Sequence, residues 1–420
     1  MERRLLPFLL LLYIVCFLDR VNVGFAALRM NGDLGFSAAV YGFGAGVFFL
    51  GYSLFEVPSN LILARTGARV WIARIMITWG LTATSMMFVR GPTSFYLLRF
   101  FLGVAEAGFF PGIIYYMSGW FPAAARARAI AQFMIAIPIS GVLGGPISGA
   151  LLGLNGMGGL AGWQWLFLVE GVPAVVLGFV VLGYLTDRPE DATWLAPDER
   201  EWLAARIRLE HEHCERHHGL SVLRALLHWR VWQLGALGLL CTAFGQYALS
   251  LWLPQMVRAF AGLSDFMVGL VTAVPWAIAA VAMVLTGASS DRSGERVHHV
   301  AASAVAASLG FMISAYAHSP VLIVLGLSCA TAGVLSVHGP LWSLPSMFLS
   351  GSAAAGGIGL INSIANLSGF IAPYTIGLLN TGSGNFRSGL QLLALVPLAG
   401  AALALTIGRA PIFAREPVRA

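Results

Sequence analysis

The sequence contains no lysine, and only 10% of its 420 residues are charged. Soluble domains carry about 25% charged residues, so this composition excludes an ordinary soluble domain. Hydrophobic residues make up 58% of the chain, and the mean hydropathy is +0.79. All 25 basic residues are arginine, and the net charge of +6 does not indicate nucleic-acid binding, because the arginines lie mainly between apolar runs. The composition therefore predicts an integral membrane protein.

Cysteine is scarce, and phosphate-binding motifs are missing. The four cysteines show no spacing typical of a metal site or a disulfide framework, so we expect small buried hydrophobes. No Gly-Lys-Ser/Thr loop is present, so ATP is not the expected energy source. The sequence predicts no cofactor and no resident metal, with protons as the coupling ion.

Apolar runs of about 20 residues mark membrane spans. We identify twelve, numbered in chain order as spans 1 to 12, at residues 5–28, 41–64, 72–90, 93–118, 127–152, 163–186, 229–257, 266–288, 298–317, 320–348, 354–379 and 388–408. The prediction is an all-α membrane protein with twelve transmembrane helices in two six-helix bundles. The predicted domains are an N-terminal bundle at 1–186, a central loop at 187–228 and a C-terminal bundle at 229–420.

The arginines are divided unequally between the two sides of the membrane. With the N-terminus inside, cytoplasmic segments hold 19 arginines and outer loops hold 4. Because cytoplasmic loops are enriched in arginine, we predict that both termini and the central loop are cytoplasmic in the cell's inner membrane. The central loop also contains a cluster that superficially looks like metal ligands, and we interpret it as solvated side chains. Its members are His211, His213, Cys214, His217 and His218.

Four charged residues lie inside apolar spans: Asp19 and Arg20 in span 1, and Arg99 and Glu106 in span 4. A charge at bilayer depth costs at least about 2.5–3.5 kcal/mol, so it persists only beside a partner or a polar pathway. Arg99 and Glu106 are seven residues apart and share a helix face. The charges predict a protein that moves an ion or a charged solute. The alternative is ion pairs that only lock helices together.

These residue types offer a way to couple a proton to an anion. A carboxyl group in a low-dielectric cavity holds a proton more readily, and a neighbouring arginine opposes this. A bound carboxylate competes for the same arginine and so alters the balance. The charged residues of spans 1 and 4 could therefore couple the movement of a proton to the movement of an anion.

A short basic turn recurs at matching places in the two halves, after span 2 and after span 8. Such a turn fits parallel transporter repeats, and it is also what a tight cytoplasmic loop looks like. We predict that both turns act as gating loops. Their residues are Arg65, Gly67 and Arg69 in the first half, and Asp291, Arg292, Gly294 and Arg296 in the second.

With the twelve-span layout, the second of these turns resembles the major facilitator superfamily, whose pattern the first turn departs from at Ala64. Several other segments resemble the anion:cation symporter family within it. They are LDRVNVGFA at 18–26, RFFLGVAEAGFFPGIIYYMSGWFP at 99–122, GWQWLFLVEGVPA at 162–174 and the long stretch at 341–377. The last of these is similar to the bacterial branch with tartrate, phthalate and sugar-acid transporters.

This resemblance implies roles for the buried charges. It implies that Asp19 and Glu106 carry protons and that Arg20 holds the substrate carboxylate. It also implies that Arg99 belongs to the site and is linked to Glu106. By contrast, Glu170 of span 6 shows no clear partner in the sequence, and we expect a structural role for it.

Further pocket candidates carry weaker signals. The resemblance implies that Trp342 and Asn362 contribute to the pocket from the second half. Asn366 lies one helical turn from Asn362 and could bind substrate hydroxyls, although helix–helix hydrogen bonding explains it equally well. Gln132 and Tyr13 are also candidates, and each could simply be packed.

Together these features predict a proton-coupled symporter that imports a small organic anion, either a sugar acid, a hydroxy-dicarboxylate or an aromatic carboxylate. We expect a monomer in the lipid bilayer with no nucleic-acid partner. The alternatives are an organic anion exchanger or exporter, and a sensor that binds the anion without moving it. Short loops disfavour the sensor, because a receptor needs an output surface. An enzyme is not expected, because the spans offer no nucleophile–base pair and no metal-ligand set.

Overall fold

The computed structural model describes residues 1–216, 226–347, 349 and 351–409. Within these residues the chain is helical and contains no β-strand. The helices of spans 1 to 6 are Glu2–Leu34, Ala38–Thr66, Ala68–Ser85, Pro92–Glu106 with Phe109–Ser118, Ala123–Met134 with Ala136–Leu152, and Gly162–Tyr184. Those of spans 7 to 12 are Trp229–Gly238 with Phe244–Ala261, Asp265–Ser293, Val297–Tyr316, Pro320–Ser336 with His338–Ser343, Gly351–Asn366 with Ser368–Ser383, and Arg387–Ile407.

Short elements join or interrupt these helices. A π-helical segment, Leu239–Ala243, links the two parts of span 7. A polar helix, Pro197–Arg216, follows span 6 in the central segment. Short 3-10 turns complete the structure at Met86–Phe88, Met157–Gly159, Pro189–Asp191 and Pro345–Met347.

Ten helices among the described residues are long and apolar enough to cross a membrane. Of the other two spans, span 3 is 18 residues long, and span 11 is interrupted at Leu367. Large apolar side chains such as Leu54, Val57 and Phe179 are exposed on the outside of the bundle. In a bilayer such side chains face lipid, while the helices satisfy the backbone hydrogen bonds internally. The prediction of an all-α membrane protein is confirmed.

Span 4 breaks directly after Glu106, and the break is built into the sequence. Gly108 has a φ of +86°, a conformation that favours glycine. A Cβ atom at Gly108 would also collide with Ser59 Oγ of span 2. Ser59 Oγ donates a hydrogen bond to the carbonyl of Ala107 at 2.7 Å, which uses an acceptor freed by the break. The break therefore holds the end of span 4 against span 2 and positions Glu106.

The two halves of the chain meet along three pairs of spans, namely 1 with 7, 2 with 11 and 5 with 8. At the contact between spans 5 and 8, Gly145 and Gly269 face each other so closely that a Cβ atom on either would collide with the other's carbonyl oxygen. Small residues allow this approach between membrane helices.

Several polar contacts join the halves near one membrane face. We call the face where residues 187–216 lie the loop face, and the opposite one the far face. Near the far face, Tyr41 Oη donates to the carbonyl of Leu251 at 2.8 Å. There too, Arg29 Nε is 2.7 Å from Asp265 Oδ2, and Arg258 pairs with the same carboxylate. The halves are thus joined at the far face.

Candidate substrate and proton site

The charged residues of span 1 lie at the middle of the membrane. Asp19 is 17 residues from the start of its helix and 15 from the end, or about 25 and 22 Å at 1.5 Å per residue. Asp19 is 2% exposed and Glu106 is fully buried. Span 1 also contacts span 7 of the other half. A site here is therefore enclosed by protein and next to the contact between the halves.

Arg20 and Glu106 form a buried ion pair between spans 1 and 4. Arg20 Nε donates to Glu106 Oε1 at 2.5 Å, and Arg20 Nη2 lies against the same oxygen. Cys16 Sγ donates to this oxygen at 3.2 Å. Among the described residues, Glu106 Oε2 has no hydrogen-bond partner, although this atom is buried. Glu106 therefore keeps an unused acceptor atom in the protein interior.

Aromatic rings surround the Arg20 guanidinium group. Its central carbon lies 5.1 Å from the ring centre of Tyr52, 5.6 Å from that of Phe17 and 5.8 Å from that of Phe48. Aromatic faces attract a cation at these distances. The rings hold the guanidinium group in place without using its hydrogen-bond donors.

Asp19 has different surroundings from Glu106. Its Oδ2 accepts a hydrogen bond from Trp79 Nε1 at 2.7 Å, and its Oδ1 accepts one from Asn22 Nδ2 at 3.0 Å. Both donors are neutral. Asp19 makes no ion pair with a residue that the structure describes, although Arg20 is its neighbour in sequence. Adjacent residues on a helix point in different directions, so Arg20 reaches span 4 while Asp19 faces span 3.

Among the described residues, no hydrogen bond or ion pair joins Arg99 directly to Glu106. Arg99 Nη2 donates to the carbonyl of Ala45 at 3.1 Å, and its Nε donates to that of Gly44 at 3.4 Å. Its guanidinium group also lies over the Phe48 ring at 4.8 Å. Arg99 and Glu106 do share a helix face. However, two helical turns separate them, and each has a nearer partner on another span. Arg99 ties span 4 to span 2 through these contacts.

In the second half, spans 7 and 11 are joined by a polar contact that lies next to span 2. Tyr247 Oη of span 7 donates to Asn366 Oδ1 at 2.7 Å, and the Tyr247 ring packs on Phe49 of span 2 at 4.3 Å. The Asn366 oxygen is thus engaged by a helix–helix contact, the packing alternative weighed above. Asn362 is half-buried, and Trp342 is a half-buried neighbour of the C-terminal hydrophobic core.

Tyr13 and Gln132 differ in burial. Tyr13 is 3% exposed and stacks on Phe133 with ring centres 4.4 Å apart. It also makes an edge contact with Phe17, one of the rings beside Arg20. Gln132 is exposed. Tyr13 thus supports the wall of the central site, whereas no described contact joins Gln132 to it.

The two predicted gating turns differ in which carboxylate their arginine contacts. In the second turn, Arg296 pairs with Asp291 of the same turn. In the first turn, where the corresponding position is Ala64, the Arg69 backbone N–H donates to Asp187 Oδ1 at 2.8 Å. Arg69 Nε is also 3.7 Å from the other oxygen of Asp187. The central segment therefore supplies the acid that the first turn lacks.

The remaining residues of these turns lie at the loop face. Arg65 and Arg292 are exposed, while Gly67 and Gly294 have φ values of +90° and +64°. In the histidine cluster, residues 217 and 218 and the side chains of 211–216 lie outside the described structure.

Several residues of the site were not identified from the sequence. Cys16 and Asn22 lie one helical turn from Arg20 and Asp19 respectively, so the helical spacing on span 1 could have indicated them. Tyr52, Trp79 and Tyr247 come from spans 2, 3 and 7. Their contribution depends on how the spans pack, which local sequence does not reveal.

Within the described residues, two halves of apolar helices with buried charges midway define a membrane transporter. The chain belongs to the Major Facilitator Superfamily, whose family model matches residues 9–373. The predicted superfamily and fold are therefore confirmed, and the protein is a transporter of a small organic molecule and not an enzyme.

Known relatives agree with this assignment. A protein of Agrobacterium vitis named "Putative tartrate transporter" is 53% identical over 408 residues, which are 97% of this chain and 90% of the relative. A "Quinolone resistance transporter" of Acinetobacter baumannii is 40% identical over 94% of this chain and 91% of the relative. Among solved structures, an inward-facing bacterial homologue of the lysosomal transporter Spinster has the same fold. Its TM-score is 0.80 at 17% identity, with 99% of each chain covered.

Proposed function

We propose that the protein is a proton-coupled symporter that imports a small organic anion by binding the anion's carboxylate to Arg20. The observation that carries this proposal is the Arg20–Glu106 pair, which is buried at mid-membrane and leaves Glu106 Oε2 without a hydrogen bond among the described residues. An arginine binds a carboxylate best through two parallel hydrogen bonds. Because Arg20 Nε already donates to Glu106, a substrate carboxylate has to compete with Glu106 for the guanidinium group of Arg20.

Protonation of Glu106 resolves this competition. A proton on Glu106 removes the negative charge that holds Arg20, and Arg20 then becomes available to the substrate. When the substrate leaves, Glu106 loses its proton and recaptures Arg20. Proton and anion therefore occupy the site together, which is the requirement for symport.

Asp19 supplies a second proton site in this proposal. It is buried and accepts hydrogen bonds from two neutral donors, Trp79 and Asn22, and no described arginine forms an ion pair with it. With Asp19 and Glu106 both protonated, two protons accompany each anion. A monocarboxylate would then carry one net positive charge inward, and uptake would be electrogenic.

The substrate class follows from the site and from the relatives. Arg20 selects a carboxylate, while Asn362 and Trp342 are the second-half groups proposed to contact the rest of the molecule. Two relatives at 53% and 52% identity carry tartrate in their names. Hydroxy-dicarboxylates such as tartrate are therefore tested first, followed by sugar acids and aromatic carboxylates.

Uptake into vesicles with pH and potential clamped separately tests the proposal. We expect an inward proton gradient to drive accumulation, and an inside-negative potential to increase that of a monocarboxylate. One charge moved through 100 mV corresponds to about 2.3 kcal/mol, or roughly a fifty-fold change in the accumulation limit. Asp19→Asn should abolish accumulation while counterflow exchange continues. Uptake that ignores both pH and potential would refute proton symport.

An exporter or exchanger is the second candidate, and one relative supports it. The "Quinolone resistance transporter" of Acinetobacter baumannii is named for resistance to a drug that carries a carboxylate. Cells that produce this protein would then retain less of a fluorescent quinolone than cells with an empty vector. Unchanged quinolone retention, together with gradient-driven uptake of tartrate, would exclude this candidate.

A further inference from the structure

A third carboxyl group is buried in the N-terminal half, apart from the Arg20–Glu106 pair. Glu170 of span 6 is 6% exposed, and its Oε1 accepts a hydrogen bond from Ser148 Oγ of span 5 at 2.9 Å. Its Oε2 is buried and has no hydrogen-bond partner among the residues that the structure describes. No arginine among the described residues forms an ion pair with Glu170. An intramembrane ionisable group of this kind is a functional candidate by default.

Four polar side chains lie at increasing depths between the far face and the middle of the membrane. Ser148, Glu170, Asn22 and Asp19 lie four, eight, twelve and fifteen residues from the far-face end of their own helices. At 1.5 Å per residue these positions correspond to depths of about 6, 12, 18 and 22 Å. Glu170 therefore lies between the far face and Asp19.

Asn22 connects the two carboxyl groups. Its Nδ2 donates to Asp19 Oδ1 at 3.0 Å, and its amide also lies against the Glu170 carboxyl group. Span 6 packs against spans 1, 3 and 5. The arginines of span 3, Arg69 and Arg74, lie near its loop-face end, so they are far from Glu170. Glu170 and Asp19 thus face one shared amide with no arginine between them.

We propose that Glu170 is a proton-relay residue, through which Asp19 exchanges protons with the far face. In the transfer, the O–H bond at Glu170 breaks and an O–H bond forms at Asp19, so the negative charge passes from Asp19 to Glu170. Glu170 then takes up a proton from the far face. This inference rests on the proposed function, because it requires Asp19 to carry a transported proton.

Glu170→Gln tests the relay, since glutamine keeps the shape and the acceptor for Ser148 but cannot carry the proton. In vesicles we expect proton-driven accumulation to slow by about tenfold or more, in line with the loss of a positioned proton-transfer group. Counterflow exchange and substrate affinity should stay near wild type, because Glu170 does not touch Arg20 or Glu106. Glu170→Asp should restore part of the rate and shift its pH profile.

Asp33→Asn is the matched control. Asp33 also accepts a hydrogen bond from span 6, from Trp163 Nε1 at 2.9 Å, but it is exposed at the far-face end of span 1. Its substitution should leave accumulation and pH profile unchanged. The same two results in Glu170→Gln would overturn the relay while leaving the proposed symport intact. A wild-type protein with no proton dependence would instead refute the proposed function itself.

A structural role for Glu170 predicts a different pattern. Counterflow and thermal stability would then fall as much as accumulation does, and that outcome would also overturn the relay. If Glu170→Gln does not fold, Ser148→Ala replaces it, because it keeps the carboxyl group and removes its hydrogen-bond donor. The relay then predicts a shifted pH profile for uptake, and an unshifted profile in a folded Ser148→Ala protein would refute it.

Discussion

Replacing Glu106 with glutamine should make the transporter bind its substrate more tightly while it loses the ability to accumulate it. In the structure, Glu106 is fully buried and accepts the Arg20 Nε–H hydrogen bond at 2.5 Å. The substrate carboxylate has to displace this contact. Glutamine retains a weaker acceptor but carries no charge, so it competes less for Arg20.

The size of the effect follows from the contact that is lost. A hydrogen bond to a charged group contributes about 1.5–3 kcal/mol. Each 1.4 kcal/mol is tenfold in affinity, so carboxylate binding near neutral pH should tighten by about 10- to 150-fold. Without substrate, the variant should unfold at lower temperature, because the charge of Arg20 is left uncompensated in a buried site. Substrate should then raise its unfolding temperature more than it does for wild type.

Calorimetric titration of the purified protein at several pH values measures the affinity, and thermal unfolding with and without substrate measures the stability. Wild-type affinity should rise as pH falls and approach that of Glu106→Gln, whose affinity should change little with pH. Asp291→Asn, which removes an exposed carboxylate at the loop face, serves as the control and should behave like wild type. Binding by Glu106→Gln that is no tighter than wild type at neutral pH would refute the competition between Glu106 and substrate.

Three further substitutions test other parts of the site. Arg20→Lys keeps the charge but loses the planar fork, so carboxylate affinity should fall at least about tenfold in the same titration; unchanged affinity would remove Arg20 from the site. Trp342→Ala should alter the ratio of tartrate to phthalate uptake without lowering the amount of folded protein, whereas a large loss of thermal stability would indicate packing alone. Asp265→Asn removes the carboxylate that joins the halves at the far face. Spin labels attached at Gly32→Cys and Gly382→Cys, two positions in open space, should therefore move apart. An unchanged distance distribution between the labels would show that this ion pair does not hold the face closed.

The sequence by itself determined the class of protein and the course of the chain. Span 6 was predicted at 163–186 and is Gly162–Tyr184, and span 9 was predicted at 298–317 and is Val297–Tyr316. These predictions succeed because transfer into a bilayer depends on the summed hydropathy of a continuous segment. Bilayer thickness then fixes the segment's length, and backbone hydrogen bonding makes it a helix. The superfamily could be identified for a related reason, since its motifs are local in sequence.

Only the tertiary structure decided which charged group meets which. Arg99 shares a helix face with Glu106, yet Arg99 bonds to the span 2 backbone and Glu106 pairs with Arg20. Glu170 showed no partner in sequence, but Ser148 donates to it from span 5. Periodicity gives the direction of a side chain about its own helix axis, but the partner depends on the height and rotation of neighbouring helices. Those quantities are set by side-chain packing over the whole bundle, through contacts between residues that are far apart in sequence.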